Sequence, residues 1–189
     1  MGDYNAERLK LATELGVDIA HGVIQSVHAG KRNRPGEAIA RRLALHGSIE
    51  PNCFAHGVLL PRRASEQLTD IAALVRLYEA QLLPEQVDLL TNTTLRFGDE
   101  VPTHRAWMLA TNFAYEALCE RRSLACIAIF HVPALAGRAA PNHAHLLAIC
   151  RTLSTQATFG RFSDLTKPGA KAVLATEWAA YLDAHDGRG

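Results

Sequence analysis

Two apolar runs, joined by a connection too short for a helix, constrain the fold of this chain more than any other feature. Leu124-Ala-Cys-Ile-Ala-Ile-Phe130 leads into His131, and Pro141-Asn-His-Ala-His-Leu-Leu-Ala-Ile-Cys150 opens with His143 and His145. Between them lie residues 132–142, rich in Ala, Gly and Pro. Short apolar runs bounded by turn residues read as buried strands. A parallel pair needs a crossover of about a dozen residues or more, usually a helix, so these two strands are expected to be antiparallel neighbours. Side chains alternate along a strand, so His143 and His145 share one face while Ala144 points to the other. Antiparallel pairing brings His131, at the end of its strand, close to His143 at the start of the next. Imidazoles converging in this way suit a divalent metal ion (Mn2+, Mg2+ or Zn2+) with coordination positions left open for substrate oxygens.

The remaining elements follow from periodicity and stop signals. A helix is expected over residues 6–15, stopped by Gly16. Val17 to His28 is β-rich, residues 29–35 read as a basic loop, and Gly36 to His46 reads as a helix. A strand follows from Phe54 to Leu60, ended by Pro61. Ser65 is the expected cap of a helix carrying Leu68, Ile71, Leu74, Val75 and Tyr78. Val87 to Phe97 reads as a strand, Thr103 to Arg122 as a long helix, residues 151–168 as a loop and Ala170 to Ala184 as a closing helix. Strands interleaved with helices, with an antiparallel pair at the centre, predict an α+β fold: one sheet packed with α-helices. At 189 residues the chain suits a single domain, 1–189, with a substantial core.

Composition narrows the classes of partner. The net charge of +1 conceals a local excess: Lys31, Arg32, Arg34, Arg41 and Arg42 stand against Glu37 alone in residues 31–42. Such a stretch suits a phosphate backbone, or else a solvated loop and helix face. The four cysteines are scattered with no CxxC pair, and no secretory leader is read at the N-terminus, so reduced thiols in a reducing compartment are expected. No apolar stretch approaches the roughly 18–20 residues of a membrane span.

The histidine segment, with Ile129-Phe-His131 before it and Arg151 after it, resembles the metal-binding signature of the MobA/MobL family. These are plasmid mobilisation relaxases of the HUH endonuclease superfamily, in which U denotes a hydrophobic residue. Phe54-Ala-His-Gly-Val-Leu-Leu-Pro61 is similar to a family strand ending in Leu-Pro. Phe97-Gly-Asp-Glu-Val101 is similar to its Leu-Pro-x-Glu-Leu approach to a helix, and Glu177-Trp178-Ala179 to the Trp-Ala of its closing helix. The resemblance is strongest over residues 54–182, and residues 1–53 diverge. It implies an HUH relaxase-like fold, with a divalent metal held by His131, His143 and His145. It also implies a bacterial cytoplasmic protein acting on single-stranded DNA at a plasmid origin of transfer, alongside mobilisation accessory proteins. In such enzymes a tyrosine oxygen attacks one phosphodiester. The 5′-phosphate is left on the tyrosine and a 3′-hydroxyl is released, and the metal offsets charge on the phosphate.

The chain departs from that pattern at the nucleophile. The family's tyrosine lies on the helix after the first strand, in an Ala-Tyr-Arg context. The matching segment here, Gly36 to Gly47, has none; Leu45 falls near its place, beside His46. Tyr78, Tyr115 and Tyr181 sit on amphipathic helices and read as packing residues, which leaves Tyr4 as the candidate nucleophile. Where the family carries acidic residues before Phe97, this chain has Asn92-Thr93-Thr94. Three readings follow. The first is a relaxase-like protein, a site-specific single-strand endonuclease working through Tyr4 or a metal-activated hydroxide. The second is a non-catalytic DNA-binding accessory module, and the third an unrelated three-histidine metallohydrolase. In the first two, Lys31, Arg32, Arg34, Arg41, Arg42 and Arg151 are the expected DNA-binding residues.

Overall fold

A computed structural model describes residues 6, 10, 14–44 and 52–186. Five strands form its main sheet: β1 (Asp18–Gln25), β4 (Ala55–Leu59), β5 (Asp88–Arg96), β6 (Cys126–His131) and β7 (His143–Ile149). Their order is β1-β5-β7-β6-β4, and every pairing is antiparallel. The expected β6–β7 pair is present, with His131 opposite His143 and Ile129 opposite His145. Two short hairpins flank the sheet. One pairs β2 (Val27–His28) with β3 (Lys31–Arg32), and the other pairs β8 (Arg151–Leu153) with β9 (Phe159–Phe162).

Helices cover both faces. Against one lie α3 (Thr103–Ala114) and α4 (Ala170–Asp186). Ala106, Ala110 and Ala114 of α3 share this core with Ala128, Ala144 and Ala148 of the sheet. These small side chains let helix and sheet approach closely, and Phe113, Phe130 and Trp178 fill the space around them. Against the other face lie α1 (Pro35–Leu43) and α2 (Ile71–Ala80), where Ile39, Leu74 and Tyr78 meet Leu90, Ile127, Ile129, Leu147 and Ile149. Because β6 is sandwiched between both layers, all six of its residues are buried. Fully burying an aliphatic side chain of this size contributes about 1.5–3 kcal/mol. That is why a strand of this kind is continuously apolar rather than alternating.

Several local expectations change. The cap of α2 is Asp70, whose carboxylate accepts from the Ala73 amide at 2.8 Å; Ser65 instead precedes a 3-10 turn, Glu66–Thr69. Residues 29–35 are not a simple loop. Ala29 and Gly30, with φ of 48° and 75°, turn β2 back onto β3, the left-handed pair that tight hairpins require. The stretch 151–168 holds the β8–β9 hairpin and a further 3-10 turn, Asp164–Thr166. The long helix starting at Thr103 widens into a π-helical segment, Tyr115–Glu120, in which the Arg121 amide reaches the Glu116 carbonyl five residues back. Of the helix expected over residues 6–15, the described positions Ala6, Lys10, Glu14 and Leu15 are helical. Tyr4, Leu45 and His46 lie outside the described residues.

Candidate metal centre

The β6–β7 register places the three histidines on one end of the sheet, and a ligand atom from each lies within 4.8 Å of the others. The rings stand steeply to one another, with centroids 4.9, 5.0 and 5.2 Å apart. Each ring also has an outward nitrogen fixed by a neighbour. His131 Nε2 donates to the Arg42 carbonyl at 2.9 Å, and His143 Nδ1 donates to the Pro141 carbonyl at 2.9 Å. His145 Nδ1 pairs with the Thr94 hydroxyl at 3.0 Å.

These partners decide the protonation pattern. A carbonyl only accepts, so the outward nitrogens of His131 and His143 carry the hydrogens. In the neutral rings the inward nitrogens, His131 Nδ1 and His143 Nε2, are then both acceptors, and they face each other at 3.1 Å. Two lone pairs at that distance repel unless a cation lies between them. Protonation is a poor answer. Burial lowers the pKa of His143, and burial together with the neighbouring His143 and His131 brings His145 down to about 2. A divalent metal fits this donor set. Neutral imidazoles oriented from outside by carbonyls or hydroxyls are the usual arrangement around such ions.

The histidines open onto a cleft of about 670 Å³. Arg41, Arg42 and Arg138 line it, as do Phe54, Val132, Pro133, Leu135 and Ala136. The basic segment therefore divides. Arg41 and Arg42, on the last turn of α1, face the metal cleft. Lys31 and Arg32 occupy the exposed β2–β3 hairpin, and Arg34 is exposed just before α1. Burial, with Arg41 alongside, makes the Arg42 cation less stable than in water. A phosphate in the cleft would relieve that strain.

Arg151 is not where the sequence reading put it. Its side chain is buried, and its guanidinium donates to the Gly160 carbonyl at 2.9 Å, to the Gln81 carbonyl at 2.7 Å and to the Phe159 carbonyl. These bonds tie the Arg151 side chain to the β8–β9 hairpin and to Gln81 rather than to the cleft. The tyrosines expected to pack do so at two positions. Tyr78 is buried with its hydroxyl bonded to the Leu89 carbonyl, and Tyr181 stacks on Trp178. Tyr115 is partly exposed on the π-helical segment. Among the described residues no tyrosine lines the cleft. Arg138 and Leu135 went unread in the sequence because each stands outside any motif, and Phe54 was read only as the first residue of a strand. Their one shared signal is proximity in sequence to the histidine strands or to the start of β4.

The architecture is shared with a protein of vancomycin resistance transfer and with a conjugative relaxase. A protein solved for the molecular basis of vancomycin resistance transfer in Staphylococcus aureus superposes with a TM-score of 0.69, over 89% of this chain and 93% of that one, at 14% identity. The fold is relaxase-like. The conjugative relaxase TrwC, in complex with oriT DNA and metal-bound, superposes with a TM-score of 0.53, over 90% of this chain and 69% of that one, at 11% identity. The same relaxase with oriT DNA in a metal-free state gives 0.54 at 10% identity, covering 90% and 69%. No protein-family model matches the chain, and no curated protein matches its sequence. No helix among the described residues is long and apolar enough to cross a membrane.

Proposed function

We propose that this chain is a relaxase-like domain of MobA/MobL type, spanning residues 1–189, that binds a divalent metal and single-stranded DNA at a plasmid origin of transfer in the bacterial cytoplasm. The observation that carries this reading is the pair of facing acceptor nitrogens of His131 and His143, 3.1 Å apart, beneath a cleft lined by arginines. The relaxase-like fold supports it, since TrwC was solved with oriT DNA in both metal-bound and metal-free states. His131, His143 and His145 would hold the ion, which when bound offsets charge on a phosphate oxygen. Arg41, Arg42 and Arg138 would hold the neighbouring phosphates by charge-assisted hydrogen bonds. The Arg42 and Pro141 carbonyls keep His131 and His143 in the binding tautomer, and the Thr94 hydroxyl orients the His145 ring. Mobilisation accessory proteins are the partners this reading implies.

Cleavage through Tyr4 requires the N-terminal segment to reach the cleft. A second reading, a DNA-binding accessory module without nicking activity, is favoured by the lack of a cleft-lining tyrosine among the described residues. The test is metal content together with chemistry. Purified protein is expected to carry about one divalent ion per chain, lost in His143→Ala and His145→Ala; wild type unable to take up Mn2+ or Zn2+ would remove the metal site. Labelled origin DNA is then incubated with the metal-loaded protein and denatured. A protein-linked band abolished by Tyr4→Phe supports the relaxase reaction. Retention of intact DNA with no product supports the accessory module.

A further inference from the structure

The cleft above the histidines is lined by two unlike kinds of side chain. Arg41, Arg42 and Arg138 supply positive charge, whereas Phe54, Val132, Pro133, Leu135 and Ala136 supply apolar surface. Phe54 is 52% exposed and Leu135 75%, and both lie on this one cleft. Isolated exposed apolar side chains are common on protein surfaces. An exposed aromatic and an exposed leucine in one cleft with arginines and a three-histidine cluster are more specific, because they match the two halves of a nucleotide. The Phe54 backbone is fixed near the ligands, its amide donating at 2.9 Å to the carbonyl of Phe130, the residue before His131. Its ring meets the Phe130 ring edge-on, with centroids 6.1 Å apart. Phe130 is itself wedged against Phe97 and Trp107, which anchors one side of the Phe54 ring while the rest stays open to solvent.

We propose that Phe54 is a stacking platform for an unpaired nucleobase adjoining the phosphate held at the histidines, with Leu135 adding apolar surface to the same cleft. This rests on the DNA-binding reading above and sharpens it. The apolar lining selects strands whose bases are free to splay, so the cleft accepts single strands and rejects the paired duplex. Stacking tolerates any base, because every base presents a π face. Phe54 is therefore a positioning residue rather than a source of sequence specificity.

The experiment measures affinity of the metal-loaded full chain for a fluorescent single-stranded oligonucleotide, for the same strand with abasic sites, and for the corresponding duplex. Phe54→Ala should weaken single-strand binding by about tenfold or more, the range of losing one base–aromatic stack. Phe54→Trp should retain binding, and Phe54→Ala should leave the slope against salt unchanged because no charge is lost. The Phe54→Ala loss should vanish on the fully abasic strand. Metal content equal to wild type in Phe54→Ala serves as the folding control. Equal single-strand affinity of Phe54→Ala and wild type would overturn the platform, as would an equal loss on abasic DNA. Failure of wild type to bind single strands at all would overturn the functional reading itself, which is a separate outcome.

Discussion

At the scale of single residues, the three-histidine cluster depends on groups outside it. Thr94 sits directly opposite His145 in the β5–β7 register and meets its Nδ1 at 3.0 Å. Thr94→Val keeps the shape and removes that contact, and is expected to weaken metal affinity about 10–100-fold, read by competition with a metal-sensitive chelator; unchanged affinity would show that Thr94 does not orient the ring. Arg151 gives the opposite expectation. Arg151→Met leaves the carbonyls of Gln81, Phe159 and Gly160 without their donor in a buried setting, at a cost of roughly 2–4 kcal/mol in urea unfolding. Its affinity for DNA, measured where the protein is folded, should be unchanged. The histidines were legible because strand alternation and a short connection leave few arrangements for them. The role of Arg151 was not, since its carbonyl partners Gln81 and Phe159 come from separate parts of the chain and no local pattern announces them. Thr94 stood in view, but only the register shows which hydroxyl faces an imidazole.

At the scale of elements, β1 is an edge strand of the sheet and is tied down by His21. Nε2 donates to the Leu165 carbonyl at 2.9 Å, so Nδ1 is the acceptor for the Thr93 hydroxyl at 2.9 Å. Protonation would remove the Nδ1 acceptor for the Thr93 hydroxyl while leaving the bond to Leu165 in place. Burial lowers the His21 pKa, with the charge of Lys171 acting in the same sense against the bond to Leu165. A histidine whose pKa is lower folded than unfolded binds its proton more readily in the unfolded chain. Its stabilisation is therefore present above the ordinary value of 6.5 and is lost as pH falls below it. Thermal unfolding in metal-free buffer should show wild type losing more of its Tm between pH 7.5 and 5 than His21→Asn does; parallel curves would contradict this. Most elements were legible for the same reason β6 was: long, strongly patterned segments leave one reading. The two hairpins were not. The turn of β2–β3 uses Ala29 at positive φ, where turn chemistry favours Asn or Gly. The β8–β9 hairpin closes on a turn centred on Ser154, whose hydroxyl accepts from the Gln156 and Thr158 amides, with Ala157 at positive φ, and the Arg151 side chain adds bonds to its Phe159 and Gly160 carbonyls.

Across the whole molecule, the sheet presents its histidines at one end while positive charge is spread unevenly around them. Arg41, Arg42 and Arg138 line the cleft, whereas Lys31 and Arg32 stand on the β2–β3 hairpin, next to Asn33, to which Arg41 donates at 3.2 Å. Counterion release makes this division measurable. For a single strand each phosphate contact adds about 0.7 to the slope of log affinity against log salt. Arg41→Ala and Arg138→Ala should each lower that slope by up to about that amount for a short oligonucleotide seated at the metal. Lys31→Ala with Arg32→Ala should leave the slope for the short strand unchanged and lower it only when the DNA extends beyond the cleft. A hairpin variant that matches the cleft variants on the shortest strand would mean that the two basic regions form one continuous surface. The distinction matters for chemistry, because a nucleophile has to reach a phosphate that is held in place. If the cleft alone positions the strand, loss of Arg41 or Arg138 should suppress any protein-linked DNA more strongly than it suppresses overall DNA retention. If the hairpin supplies the affinity, retention falls first and the fraction of bound DNA that becomes linked stays constant.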